Sequence, residues 1–414
     1  MNDHPILIKN GRIPDTKSRK WIASDILIND GVISSIGNIA AKKGYTVYDA
    51  RGNVIFPKFT DLRTHIYVPP YIRTEKTATT LRAACAGGFG RILTAPKAPV
   101  PISDAGLISA IKSEAEKSGC ELLVAASLTD ASGNAADTAA LFEAGAFAIA
   151  DDGDADADIL LDAMKYCAEN KRPVIIHADD KELSAKANHT AIYGYGKKSG
   201  FADRTLSEDI ATARALLLAA KSGCRLHISG VSSACSVDLI RQAKKNGISV
   251  TCDTAPQYFS MTSDDLLFYG NNVKLGHPLR SVKDRDAIAD AIADGTVDAI
   301  SSDHTAVTSE EKNVPFEKAS CGMLGLQTAF PVSLCSLVCT EKIDLYRLYE
   351  LMSKVPAEIV GKTAEIKVGA PASFAVCDID SEYTFEQSML ISDRLVSNSP
   401  YLGQVLIGKI LKLF

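Results

Sequence analysis

The chain has 414 residues, a length that admits two to three domains or one large barrel with an appendage. Lys and Arg number 45 against 50 Asp and Glu, a net charge of −5, which excludes the basic excess of a nucleic-acid binder. Hydrophobic residues make up 46% and charged residues 23%, the balance of a globular protein with a large core.

The opening MNDHPILIKNGRI has no basic stretch followed by an apolar one, so no signal peptide is expected. No apolar run reaches the roughly 18 residues of a membrane span. The ten cysteines include no CxxC pair and read as free thiols in a reducing compartment. A cytoplasmic protein is the expectation.

Residues 1–50 read as short strands, ILIKNGRI, DILINDGVISSIG and YTVYDARGNV, with hairpin-type turns at Asn10-Gly11 and Asp30-Gly31. From about 54, short apolar runs alternate with stretches rich in Ala, Leu, Glu and Lys. The runs are 54–62, 90–95, 121–127, 146–151, 173–177, 224–229, 248–252 and 297–303. Helical stretches are expected at 74–86, 103–118, 157–170, 207–222, 235–246 and 283–294. Eight β runs separated by helices predict an α/β fold of the (β/α)8 TIM-barrel type over 58–363. An open doubly wound sheet is the alternative. It would place a Gly-rich phosphate loop after the first strand, whereas TDLRTHIYVPPY has no glycine. Strand texture returns at 364–381, so residues 1–57 and 364–414 are expected to form one composite β subdomain.

The acidic run Asp151, Asp152, Asp154, Asp156, Asp158 and Asp162 lacks the Gly and Glu of a calcium-binding loop, with Ala157 and Ala163 at those places. Most of it reads as a solvated helix start.

Chemistry in such a barrel sits where strands end. The eight ends carry Asp61, Arg63 and His65; Lys97; Ser127 and Thr129; Asp151 and Asp152; His177 with Asp179 and Asp180; Ser229 and Gly230; Asp253 and Gln257; and Asp303 and His304. His65, Asp152, His177 and Asp303 therefore converge on one mouth. Two imidazoles and two carboxylates suit zinc or a similar divalent ion. His4, His189, His227 and His277 are weaker candidates, and His304 reads as a neighbour supporting Asp303.

These residues lie in segments that resemble dihydroorotase, in the cyclic-amidohydrolase branch of the amidohydrolase superfamily. The segments are FPKFTDLRTHIYVPP, RAACAGGFGRILTAPKAPVP, IADDGDADADILLDAMKYC, RPVIIHADD, RLHISGVSSACSVDLIRQAKKNGISVTCDTAPQYFSMT, KLGHPLRSVKDRDAIADAIADGTVDAISSDH and EEKNVPFEKASCGMLGLQTAFP, followed by KVGAPASFAVCDID and NSPYLGQVLIGK. The resemblance implies a hydrolase of pyrimidine biosynthesis that opens a cyclic amide with two zinc ions. Their ligands are a His-x-His pair, a bridging carboxylate, a His from each of strands five and six, and an Asp that is also the general base.

Carried over position by position, His65, Asp152, His177 and Asp303 match metal ligands, and Asp303 matches the base. Arg63 and Gly230 stand where two further His ligands belong. Among substrate contacts, Tyr67 replaces an Arg that grips the substrate carboxylate, and Lys97 and Gly276 replace Asn residues. His277 follows in KLGHPLR, and Val307 replaces a last His.

A guanidinium stays protonated and does not ligate zinc. Beside Asp152 and Asp303 it would form charge-assisted hydrogen bonds. The expectation is a non-catalytic or strongly impaired dihydroorotase-like protein with at most one divalent metal per chain, or none. The alternative is an outward-turned Arg63 and a working hydrolase with one metal. The resemblance implies as partners a small cyclic amide or pyrimidine-like ligand, a second copy of the chain or aspartate carbamoyltransferase. No nucleic acid or membrane is expected.

Overall fold

The computed structural model describes residues 4–68, 74–115, 118–184 and 205–414. The N-terminal strands are β1 (Ile6–Asp15), β2 (Lys20–Asn29), β3 (Val32–Gly37), β4 (Thr46–Asp49) and β5 (Val54–Pro57). The strands that follow are β6 (Phe59–Thr64), β7 (Phe89–Thr94), β8 (Glu121–Leu123), β9 (Ala125–Ser127), β10 (Ala148–Asp151), β11 (Pro173–Ile176), β12 (Arg225–Ile228), β13 (Val250–Thr254) and β14 (Ala299–Ile300). The chain closes with β15 (Phe374–Thr384) and β16 (Val405–Leu413).

Both chain ends enter one seven-stranded sheet of order β16-β15-β5-β1-β2-β3, with β4 beside β1. β15 pairs antiparallel with β5, Phe374 opposite Pro57, and β1 pairs antiparallel with β2, Ile6 opposite Ile28. Alternating side chains bury Ile8, Ile13, Ile26, Ile55, Phe374 and Val376 as one apolar layer.

Asp30-Gly31 makes the expected turn, with φ of 50° and 74°. Asn10-Gly11 does not. It lies inside β1 as a bulge, where the register shifts between Ile8 and Gly11 and Asn10 takes φ 57°. An ideal β-carbon at Gly11 would lie 2.3 Å from Ile55 Cδ1, so the glycine serves close strand packing. The apolar run at 54–62 also divides. Lys58 separates β5, in the mixed sheet, from β6, which pairs in parallel with β7.

The parallel strands form two arcs, β14-β13-β12-β11-β10-β9 and β6-β7-β8. The short strands β8 and β9 join the arcs on either side of Val124. At the other seam Thr64 bridges His304 in parallel, and His65 N donates to His304 O at 2.8 Å. β6, β10 and β11 are buried along their whole length, as strands covered on both faces must be.

Helices cover the arcs at Thr77–Ala86, Ala105–Ala115, Ala157–Glu169, Leu206–Ser222, Ala234–Lys245 and Val282–Asp294, each near its expected stretch. Their ends follow local chemistry. Ser233 caps Ala234–Lys245, Ser281 and Asp284 form a capping box, and Gly223 and Gly295 take left-handed φ at C-termini.

The loop after β10 packs against the loop after β11 at Gly153. Its φ is +87°, and an ideal β-carbon there would lie 1.8 Å from Asp179 O. Gly153→Ala is expected to destabilise the protein by about 3 kcal/mol, since both backbone strain and overpacking apply. Denaturant midpoints measure this; an unchanged midpoint would contradict the packing described.

Candidate active site

The C-terminal ends of the parallel strands gather Arg63 and His65 after β6, Asp152 after β10, His177 after β11 and Asp303 after β14. With Asp179, Lys181, Gly276, Thr305 and Cys321 they line a cavity of about 180 Å³. Seven residues named from sequence therefore share it: Arg63, His65, Asp152, His177, Asp179, Gly276 and Asp303.

Arg63 holds the group together. Its Nε donates to Asp303 Oδ1 at 3.1 Å and its Nη1 to Asp152 Oδ1 at 3.2 Å. Nη2 lies 3.5 Å from His65 Nε2. Gln257 Nε2 donates to Asp303 Oδ2 at 3.2 Å, so both oxygens of that carboxylate are engaged. Asp303 itself sits at φ +48°, an uncommon conformation for a residue with a β-carbon.

The local frame explains these placements. Asp151 accepts backbone N–H bonds from Gly153, Asp154 and Ala155, each at 3.0 Å. That turn is the work of the first Asp in the pair and presents the second to Arg63. Asp61 accepts from Ser302 N at 2.6 Å and Ser302 Oγ at 2.7 Å, which ties the end of β6 to the residue before Asp303. Burial pushes the Asp61 carboxyl up to about 6 against those bonds.

One guanidinium does not act equally on two carboxylates. Burial raises both. At Asp152, Arg63, His65, Lys181 and Lys97 together outweigh it and hold the carboxyl below its ordinary value. At Asp303 burial prevails over Arg63 and His277, with Asp253 adding repulsion, and the carboxyl is raised. Arg63 is raised, because the two aspartates outweigh its own desolvation. Burial, followed by Arg63, brings His65 down to about 3 and His177 well below its ordinary value. Both rings are neutral at pH 7.

His177 Nδ1 meets Ser229 O at 3.0 Å, and its ring stacks on His277 at 3.9 Å. His277 is buried beneath the cavity. Its Nδ1 lies 3.0 Å from Gly230 O and its Nε2 2.9 Å from Ala178 O, so no ring nitrogen faces the cavity. Gly230 offers no ligand atom and takes φ +73°; an ideal β-carbon there would lie 3.0 Å from two His177 ring atoms.

The other sequence candidates do not line the cavity. Tyr67 donates its hydroxyl to Ala306 O at 2.7 Å and packs against Leu324 and Val396. Lys97 pairs with Asp154 at 2.6 Å, both about one-third exposed. His304 turns away from Asp303, its Nε2 3.3 Å from Glu75 Oε2 and its Nδ1 accepting from Gly325 N. His227 is buried between Thr251 and Asp253, at 2.8 and 2.9 Å. His4 is exposed, and His189 lies outside the described residues.

Lys181 and Cys321 were not singled out from sequence. Lys181 pairs with Asp179 at 3.0 Å, and its place four residues after His177 was the available signal. Cys321 reaches the cavity from a loop that no strand-end rule covers.

Metal-ligand geometry fails at the same points. One oxygen of Asp152 and one of Asp303 accept Arg63 N–H groups, and Gly230 supplies no side-chain ligand. Among the described residues no three His, Cys, Asp or Glu side chains form a metal-binding set. The residues present do not fit the binuclear centre that the resemblance implies. Among them, too, no helix is long and apolar enough to cross a membrane.

Comparison with known proteins agrees with the fold. The amidohydrolase family model matches residues 54–400. A dihydroorotase of Caldicellulosiruptor saccharolyticus is 33% identical, covering 98% of each chain. One of Geobacter sp. is 34% identical, covering 98% of this chain and 96% of its own. Among solved structures, the L-hydantoinase of Arthrobacter aurescens superposes with a TM-score of 0.87 at 25% identity, covering 99% of this chain and 94% of the other. A match across most of the chain, with relatives of this identity over nearly its full length, shows that the protein belongs to the amidohydrolase family.

Proposed function

We propose that this is a dihydroorotase-like amidohydrolase in which Arg63 has taken the place of metal and turnover of dihydroorotate is absent or strongly reduced. In this reading residues 58–363 close into an eight-stranded barrel, supported by the Thr64–His304 bridge, and 1–57 with 364–414 form the β subdomain. The observation that carries the functional reading is the pair of Arg63 bonds to Asp152 and Asp303.

The reasoning is electrostatic. A permanently charged guanidinium satisfies carboxylates that would otherwise call for a divalent ion. Asp303 already accepts one bond on each oxygen, from Arg63 and Gln257, and the adjacent guanidinium favours its ionised form, which weakens it as a base. A loss of even 4 kcal/mol of transition-state stabilisation is roughly a thousandfold in rate.

Charge also narrows the ligand. Arg63 and Lys181 face Asp152, Asp179 and Asp303, with both imidazoles neutral, so the cavity carries one net negative charge. A ring carboxylate is disfavoured there, and the Tyr67 hydroxyl is bonded elsewhere. A small uncharged cyclic amide or pyrimidine-like ring suits it better.

A working hydrolase with one metal is the second reading, favoured by His65, His177, Asp152 and Asp303 lining one cavity. Metal analysis and turnover separate the two. Purified protein is expected to hold at most one weakly bound divalent ion and to hydrolyse dihydroorotate at least about a thousandfold below an ordinary enzymatic rate. Two zinc ions per chain, or ordinary turnover, would refute the proposal. Arg63→His with Gly230→His is expected to stay inactive, because residue 230 has left-handed backbone against His177.

Arg63→Leu is expected to cost about 3–5 kcal/mol at pH 7, since it removes the only cation hydrogen-bonded to these two buried carboxylates among the described residues. In the wild type, Asp152 titrates below its unfolded value of 3.8, so its contribution is present above that pH and lost as pH falls through the folded value. Without Arg63 the sign reverses. The unpaired carboxyl is raised, so the deficit is largest at pH 7 and shrinks as pH falls through the raised value. Denaturant midpoints at pH 5 and pH 7 measure this, and a deficit independent of pH would show that charge is not its origin.

A further inference from the structure

A second cavity, of about 280 Å³, lies at the opposite ends of the parallel strands, between them and the segment that leads into β15. Lys58, Gly90, Arg91, Lys362, Glu365 and Ser373 are among its lining residues. We infer that it binds a small oxyanion, a phosphate or carboxylate group, held by Lys58, Arg91 and Lys362.

The charges are unbalanced. Arg91 Nε donates to Glu121 Oε2 at 2.6 Å and Nη1 to Thr60 Oγ1 at 3.2 Å, which leaves Nη2 without a partner among the described residues. Lys362 shares the same Glu121 at 3.1 Å, and Glu365 is taken by Lys367 at 2.8 Å. The Lys58 ammonium has neither hydrogen bond nor ion pair among the described residues. Three cations, Lys58, Arg91 and Lys362, line the cavity with one carboxylate, Glu365; with the partners Glu121 and Lys367 included the net is still two positive charges, while the cavity at the strand ends carries a net negative one. An anionic ligand is drawn to this cavity and repelled from the other.

The site is also shaped in advance. An ideal β-carbon at Gly90 would lie 2.7 Å from Lys58 Cδ and 2.8 Å from its Cβ, so only glycine there lets the lysine stem lie flat on β7. A lysine held by its stem loses less side-chain freedom on binding. Arg91, anchored by Glu121 and Thr60, presents its remaining N–H edge in fixed geometry, the arrangement that suits an oxyanion. Lys58 N also donates to Ser373 O at 3.1 Å, so a ligand here would brace β6 against the start of β15. Chemistry in parallel barrels belongs to the other face, and binding at this one acts through stability.

The test is titration of the full-length protein with inorganic phosphate and, separately, with succinate, at constant ionic strength. Calorimetry and the thermal midpoint are followed together. Saturable binding of at least one anion with a rise in midpoint is expected, and the stronger of the two identifies the group as phosphate or carboxylate. Lys58→Gln should weaken binding measurably, by up to about fivefold, as loss of one partly exposed ion pair does. Lys362→Gln is the second variant with the same expectation, should the first fail to fold. Lys181→Gln, in the other cavity, should leave affinity unchanged. No saturable binding of either anion, equal affinity in the Lys58 and Lys362 variants, or loss caused by Lys181→Gln would overturn the inference.

Discussion

Burying Asp152 and Asp303 side by side at the strand ends would cost several kcal/mol for each ion without a counter-cation, and Arg63 is the group that meets that cost. Its fork reaches from β6 to the end of β10 and to the residues after β14. Three strand ends separated by 89 and 240 residues of chain are thereby cross-linked. His65 and His177 are left neutral beside it, partly because the guanidinium already supplies positive charge. The rest of the mouth follows from this. Asp303 tolerates a left-handed backbone because Arg63 and Gln257 fix both of its oxygens.

Protein groups tie the strand ends to one another. Arg63 links the ends of β6, β10 and β14, while His277 spans Ala178 O, after β11, and Gly230 O, after β12. Asp253 adds a third tie. It accepts from Gly230 N at 2.8 Å and from Ser229 Oγ at 3.0 Å, and meets His227 Nε2. Gly230 is part of this frame rather than merely a missing ligand. Its left-handed φ turns its carbonyl to His277 and its N–H to Asp253, a geometry that a bulkier residue would strain.

Much of this was legible in the sequence because a strand end is defined by where an apolar run stops. His65, Asp152, His177 and Asp303 each stand at such a stop, and the barrel rule then places them on one face. Arg63 was legible through the chemistry of a cation next to two carboxylates. What was not legible depends on where a side chain turns. Tyr67 and His304 occupy strand-end positions, yet their polar atoms meet Ala306 O and Glu75. Lys97 takes a nearby acidic partner, Asp154, whose pairing no spacing rule encodes. Asn10-Gly11 carries the residue pair of a hairpin turn, but packing against Ile55 makes it a bulge. Cys321 approaches from a long loop, where periodicity carries no information.

In the proposed reading, protein cations rather than metal hold these strand ends together. A ligand that binds only the folded state raises stability in proportion to the logarithm of its concentration over its Kd, about 2.7 kcal/mol at a hundredfold excess. The direct measurement is the thermal midpoint of the wild-type protein after exhaustive chelation and again with excess zinc at pH 7. A midpoint that chelation does not lower from that of the untreated protein, with at most a small rise in excess zinc, is the predicted result. A midpoint that falls on chelation and is restored by zinc would contradict the account, since it would show that metal, not Arg63, neutralises Asp152 and Asp303.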